Sequence, residues 1–429
     1  MPANSTLRRN RTAFFLDYVF FGVGLAFVGP STTLPAFVAK LTGDPVLIGM
    51  VGALWSGGWL LPQILAAHYL STVKHKMRVA RWGSWAGRPV FLLLAGFLVL
   101  TGAHQAGLTL GLVFLSILIF AVTDAIVTVA WFDVLAKAIP ARSRGRLIGW
   151  GQVGSGVLSV GAGLAVAFLL GPGGPPFPVN YAVVVLLATI AFLLSLGTYY
   201  FIHEPIEAVT EERAALSEFL PKIARFLERD RPFLQVNLAR LLIGVSAMST
   251  PFYVVYATQR RGLPDAAIGA FTTAATVGGA VAGLALGPVA DRFGSHRVVQ
   301  VMAGLQVLVP LLAIGSALIP FSEVFLLVLF TLVFLLQGMA DGSLMLGIAN
   351  FVLEIAPASE RSAYIGLANT LAGVLIFYPL AGGWIAAHSG YPTVFAISAG
   401  SIALGGLVAS RLPNPRRAHF ELPMQSPEV

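Results

Sequence analysis

The stretch LTLGLVFLSILIFAVTDAIVTVAWFDVLAK, residues 108–137, decides the fold. Its charged side chains are Asp124, Asp133 and Lys137, and the rest is dominated by Leu, Ile, Val, Phe and Ala. As a helix rising 1.5 Å per residue it would run about 45 Å, enough to cross a hydrocarbon core about 30 Å thick. Lipid offers the backbone no hydrogen-bond partners, so such a segment must satisfy its own amides as a helix. A transmembrane barrel would need short strands of alternating polarity, and the stretch has none.

The same pattern extends along the chain. Hydrophobic residues make up 57% of it and charged residues 11%, against about 25% charged in a soluble domain. Mean hydropathy is +0.82. Apolar runs of span length recur at 12–38, 46–70, 82–103, 108–137, 146–170, 180–202, 234–258, 265–289, 297–319, 322–353, 362–386 and 391–411. The fold class expected is an all-α membrane protein of twelve transmembrane helices in two pseudo-symmetric six-helix bundles. The opening MPANSTLRRNRT does not read as a cleavable signal, because the apolar segment after it is span-length and lacks an A-x-A-like site.

The net charge of +8 would suit a nucleic-acid partner, but its distribution argues otherwise. With twelve spans and an internal N-terminus, 22 of the 27 Lys and Arg fall on one side. Lys40, Arg260 and Arg261 fall on the other, and Arg88 and Arg240 lie within spans. This positive-inside bias predicts both termini in the cytosol. The basic charge is topological, and no nucleic-acid partner is expected. There is no cysteine, hence no disulfide, thiolate metal site or Cys nucleophile. HExxH, GxSxG and Walker patterns are missing, so neither an enzyme, a cofactor nor a metal site is expected.

Three units are expected: a bundle over 1–202, a cytosolic linker over 203–233 and a second bundle over 234–429. In the linker Leu216, Phe219, Leu220, Ile223 and Leu227 recur at helical spacing, which predicts an amphipathic surface helix. The two bundles repeat one another. A shift of 217 residues overlays AIPARSRGRLIGWGQ (138–152) on IAPASERSAYIGLAN (355–369), carrying Asp124 onto Asp341, Asp133 onto Asn350 and Gln152 onto Asn369. A shift of 220 sets Ile48-Gly49 on Ile268-Gly269. Parallel six-helix repeats point to a transporter with its site near the midplane between the halves.

GPVADRFGSHR (287–297) resembles the G-x-x-x-D-R-x-G-x-R-R signature of the major facilitator superfamily, and PARSRGRLIG (140–149) is similar to that family's loop between the fourth and fifth helices. The resemblance implies that the first, fourth, seventh and tenth helices line a central cavity around which the halves rock. It implies a gating motif of Gly287, Asp291, Arg292, Gly294 and Arg297, with Asp291 at a helix terminus and paired to basic residues. The chain also departs from the family. The matching first-half loop, AHYLSTVKHKMR, has Ser71 where Asp291 predicts a carboxylate. The Arg that many proton-coupled members carry in the fourth helix is missing, as is the G-P-x-x-G-G run of antiporters in the fifth.

Two carboxylates in the opening stretch need an explanation, because Asp at a bilayer centre costs about 2.5–3.5 kcal/mol. Nine residues at about 100° each put Asp124 and Asp133 on opposite sides of one helix. Thr128 and Trp131 share the face of Asp124. Asp124 lies mid-membrane and Asp133 near the cytosolic edge. Asp124 and Asp341 are therefore the candidate centre, with Arg240 as counter-charge, Gln337 one turn before Asp341, and Asp17 as a weaker candidate. Asp133 is expected to be structural, with Arg88 as its partner unless Arg88 snorkels to the interface. The stripes Gly279-Gly283-Gly287 and Gly151-Ser155-Ser159-Gly163 are expected to be packing seams.

The function expected is secondary transport of a small organic solute by alternating access, as a monomer in a bacterial cytoplasmic membrane. Proton coupling and uncoupled facilitation both stay open at this stage. A non-transporting sensor or assembly protein on the same fold is the alternative from another class.

Overall fold

A computed structural model of the chain describes residues 3–205, 230–318, 321–357 and 361–415. The amphipathic helix expected around Leu216–Leu227 lies outside the described residues. Twelve helices are long and apolar enough to cross a membrane: α1 Ser5–Leu41, α2 Pro45–Leu70, α3 Lys76–Thr101, α4 Ala106–Ala138, α5 Ser143–Leu170, α6 Val179–Thr198, α7 Arg231–Arg260, α8 Ala267–Phe293, α9 Ser295–Leu318, α10 Glu323–Ile355, α11 Tyr364–Ser389 and α12 Tyr391–Ser410. No strand occurs among the described residues. The protein is an all-α integral membrane protein.

Large apolar side chains cover the outside, among them Leu93, Leu100, Leu164, Val324 and Leu407. Lipid tails are as apolar as these residues, so helices associate through close packing rather than hydrophobic exclusion. Within the first half α1 packs on α5 and α6, and α4 on α2 and α3. Within the second, α10 packs on α8 and α9, and α12 on α7 and α9. The halves meet through α5 against α8 and α2 against α11.

Several spans are interrupted for reasons visible in the sequence. In α1 the helix stops at Val28 and resumes at Thr33. Gly29 between them has φ +51°, a left-handed conformation that glycine adopts without a Cβ penalty, and Pro30 follows. Pro251 lies within α7, which ends in a π-helical turn at Tyr256–Arg260. A second π-helical turn, Met345–Ala349, follows Asp341 in α10, and Gly373–Phe377 of α11 is a 3₁₀ segment.

The side on which α1 begins and α12 ends is here the terminal face; the other is the opposite face. Toward the opposite face the halves are sealed. A Cβ placed on Gly269 of α8 would lie 2.2 Å from the Gly163 carbonyl oxygen of α5, and one on Gly49 of α2 would lie 2.2 Å from the Pro379 carbonyl oxygen of α11. These are the two glycines that the internal repeat overlays, each meeting the other half's backbone. Polar contacts continue the seal: Thr32 Oγ1 to Thr272 Oγ1 at 2.9 Å, Gln259 Nε2 donating to the Ala39 carbonyl at 2.9 Å, and Lys40 to Asp265 at 2.6 Å. Toward the terminal face, by contrast, a Cβ on Gly145, Gly149, Gly287 or Gly366 would meet nothing within 4 Å.

Candidate functional site

The unsealed space between the halves is a cavity of about 980 Å³. All the candidate residues Asp17, Asp124, Thr128, Trp131, Arg240, Gln337 and Asp341 line it, and so does Arg88. Its walls also come from α2, α5, α8 and α11, a wider set than the four helices the resemblance implied. Its opening can be read from exposure on its two sides. Phe132 and Leu344, on the terminal side of the two aspartates, are 47% and 43% exposed. Thr32 and Thr272, on the other side, are 1% and 2% exposed.

The first-half wall holds a connected polar network drawn from four helices. Arg88 of α3 is 3% exposed and donates to the Phe192 carbonyl at 2.9 Å, Ser195 Oγ at 3.0 Å and the Tyr199 hydroxyl at 2.9 Å. Its guanidinium also lies over the rings of Phe21 and Tyr199, 5.5 and 5.0 Å from their centroids. Ser195 Oγ donates in turn to Asp17 Oδ1, and Trp131 Nε1 donates to Asp17 Oδ2 at 2.6 Å. Arg88 is a positive neighbour of both Asp17 and Asp124. Buried charges of opposite sign are tolerable only when hydrogen bonds accompany them, and here Arg88 has three acceptors and Asp17 two donors.

Two sequence expectations are corrected by this network. Arg88 neither pairs with Asp133 nor snorkels to the interface; it is consumed on α6. Asp133, nearer the terminal face, pairs with Lys76 at 2.5 Å and Lys137 at 2.7 Å. The lysine ammonium groups reach a partly exposed carboxylate there, whereas Arg88 lies where water is excluded. Asp17, the weaker candidate on sequence, belongs to the same network. It is 4% exposed, and it rather than Asp124 receives the Trp131 indole.

Asp124 itself is lightly held. Thr128 Oγ1 lies at 3.5 Å from Oδ2, the outer limit of a hydrogen bond, and Trp59 is its other side-chain partner. The second half is similar. Gln337 Nε2 donates to both oxygens of Asp341 at 3.1 and 3.2 Å and to no other carboxylate, while Gln306 supports it by donating to Gln337 Oε1 at 3.0 Å. Asp341 is exposed, into the cavity.

Arg240 is not the counter-charge of Asp341. It donates to the Ala368 carbonyl at 3.1 Å and to Asn369 Oδ1 at 3.3 Å, and no ion pair joins the two among the described residues. The repeat explains this placement. Gly22-Val23 of α1 matches Gly244-Val245 of α7, which sets Tyr18 opposite Arg240, and Tyr18 contacts Gln152 as Arg240 contacts Asn369. Gln152 and Asn369 were themselves paired by the 217-residue shift. Each half thus uses one amide of its fifth helix to hold the first.

At the terminal face Glu204 caps the start of α3, accepting from Lys76 N and Met77 N at 2.9 Å each. In the 287–297 segment Gly294, with φ +91°, separates α8 from α9. Arg292 lies over the Phe293 ring at 5.4 Å, Arg297 donates to Gln300 Oε1 at 2.9 Å, and Asp291 is exposed. Among the described residues no group of three or more His, Asp or Glu is placed to hold a metal.

The ion pairs of Asp133 are 33% exposed on the carboxylate side, so they resemble surface pairs worth about 0–1 kcal/mol. Asp133→Asn is expected to lower the melting temperature of the purified protein by no more than a few degrees and leave uptake intact. Loss of uptake with normal folding would place Asp133 in the working site instead.

A twelve-helix bundle whose related halves enclose a charged cavity is an architecture of membrane transport proteins rather than enzymes. The sequence matches the Major Facilitator Superfamily over residues 79–312 and 238–426, and the chain belongs to that family. No curated protein matches the sequence. Among solved structures, the fold is similar to the nucleoside transporter NupG, with a TM-score of 0.62 at 16% identity, covering 98% of this chain and 100% of that one. A point mutant of NupG gives a TM-score of 0.67 at 14% identity, over 95% and 99% of the two chains. A bacterial homologue of the iron transporter ferroportin in an outward-facing state gives 0.60 at 15%, over 94% and 98%. At these identities the likeness is one of fold.

Proposed function

We propose that the protein is a secondary transporter that carries a small organic solute through this cavity by alternating access. The observation that carries the reading is the one-sided cavity: sealed backbone to backbone toward the opposite face, unsealed toward the terminal face, with a carboxylate from each half on its walls. The positive-inside bias puts the terminal face in the cytosol, so the structure corresponds to an inward-facing state. In this reading the bundles before and after the 203–233 connection rock as units, and the 287–297 segment closes the terminal face when the opposite face opens. Asp124 and Asp341 are lightly held groups on which a solute or a proton acts, whereas Asp133 is structural.

The natural lack of cysteine makes a direct test available. Single Cys at Thr272 and at Leu344 in vesicles of known orientation should label with membrane-impermeant maleimides from opposite sides. Leu344→Cys should label readily from the cytosolic side, and Thr272→Cys slowly from the external side. Labelling of either Cys at the same rate from both sides would indicate a pore. Complete protection of Thr272→Cys from the external side, even in a variant whose opposite face has been wedged apart, would rule out an outward-facing state and sink the proposal.

A further inference from the structure

The charged groups in the cavity wall are unequally occupied, and that imbalance bears on the solute. Arg88 is saturated by three acceptors and two ring faces. Arg240 holds a carbonyl and an amide oxygen through Nη1, while its buried Nε has no hydrogen-bond partner among the described residues. Asp17 accepts from Ser195 and Trp131. Asp124 and Asp341 are the other two carboxylates of the wall. A carboxylate offers about four acceptor sites. Asp341 receives one amide nitrogen from the preceding turn of its own helix, and Asp124 receives one long contact from the following turn of its own and Trp59. Neither forms an ion pair among the described residues. The unfilled capacity in the cavity is therefore weighted toward negative charge, two carboxylates against the one guanidinium of Arg240.

The walls add a second, independent bias. Phe21, Trp55, Trp59, Trp131 and Phe132 line the first-half side. Trp55 stacks on Phe120, with centroids 5.6 Å apart, which leaves its other face toward the cavity. Trp59 is 38% exposed. Among the described residues the second-half side carries no aromatic ring and includes small residues such as Ala247, Thr276 and Gly279 beside Leu344, Leu375 and Ile376. Aromatic faces attract cations, most strongly when water is thinned out, and low-dielectric walls lined by one sign of charge concentrate the field.

We propose that the cavity selects organic cations with an apolar body of about one aromatic ring, the head placed between Asp124 and Asp341 and the body against the tryptophan wall. This rests on the transport reading and narrows its solute to one charge class. An anionic solute would have to rely on Arg240 alone, whose Nη1 already serves α11, against the charge of two carboxylates.

Three probes of matched body and different charge test it: phenethyltrimethylammonium, 4-phenyl-1-butanol and 4-phenylbutyrate. Each is titrated against the purified full-length protein, with binding followed by tryptophan fluorescence and thermal stabilisation. The cation should bind at least about tenfold more tightly than either competitor, and Asp124→Asn and Asp341→Asn should each erode that preference by a similar factor, leaving the neutral probe unchanged. Equal or tighter binding of the neutral or anionic probe overturns the inference, as does an undiminished preference in both variants or no binding of any probe. The wild-type comparison stands even where a variant folds poorly. The single-Cys labelling, run on the same preparation, keeps the two readings apart. Alternating labelling without cation preference removes only the charge class, and cation binding without alternation removes only the transport reading.

Discussion

Gly269→Val is expected to hold the protein with its opposite face parted. Its Cβ would lie 2.2 Å from the Gly163 carbonyl oxygen and 2.5 Å from Ala167 N. Both are backbone atoms of a helix and cannot rotate aside. The collision can be relieved only by moving α8 away from α5, which is the motion that opens the seam. Overpacking of this kind costs about 1–3 kcal/mol, which corresponds to roughly fivefold to over a hundredfold in a two-state population. Gly49→Val should act the same way through Pro379 of α11, since the repeat places the two glycines at equivalent points. External labelling of Thr272→Cys should accelerate in both backgrounds, and uptake should fall. Gly145→Val, with open space around its Cβ, serves as the control. Unchanged labelling in a folded Gly269→Val protein would mean that this seam does not open.

The second large effect is expected at Arg88. Removing one partner of a buried charge pair leaves the other charge uncompensated, typically at a cost of about 3–5 kcal/mol. Arg88→Met would strip Ser195, Tyr199 and the Phe192 carbonyl of their donor and leave Asp17 without its positive neighbour. The variant should express poorly and melt well below the parent. Adding Asp17→Asn should restore part of the loss, because it removes one of the two carboxylates that Arg88 offsets. A single variant that melts like the parent, or a double variant no better than the single, would show that the network does not hold α1, α3 and α6 together.

The sequence was most informative where one helix carried the signal. Span length and hydropathy placed the twelve helices, and the shift of 217 residues brought Asp124 and Asp341 forward as a pair before their shared cavity was seen. Helical phase separated Asp133 from Asp124 correctly in direction, but it could not name partners on other helices. Arg88 was matched to Asp133 on depth alone. Its true acceptors, Phe192 O, Ser195 and Tyr199, lie more than 100 residues on, and a serine and a tyrosine one turn apart carry no sequence signal of their own. Trp131 was placed on the same helical face as Asp124. Its indole reaches past that face to α1, a contact set by how α1 packs on its neighbours rather than by periodicity. Ile48-Gly49 and Ile268-Gly269 were noticed as repeats, and only the packing gave them a meaning.

The glycine seams also bear on how well the membrane is insulated. A seal made of interlocking side chains flickers on the picosecond-to-nanosecond scale of rotamer flips, whereas whole-helix displacement takes microseconds to milliseconds. At Gly163–Gly269 and Gly49–Pro379 the halves meet backbone to backbone, so no rotamer exists there whose flip would admit a thread of water. Passage of protons or sodium ions at those points is then tied to the full conformational cycle. At these seams the protein can rest in a membrane that stores an ion gradient without draining it.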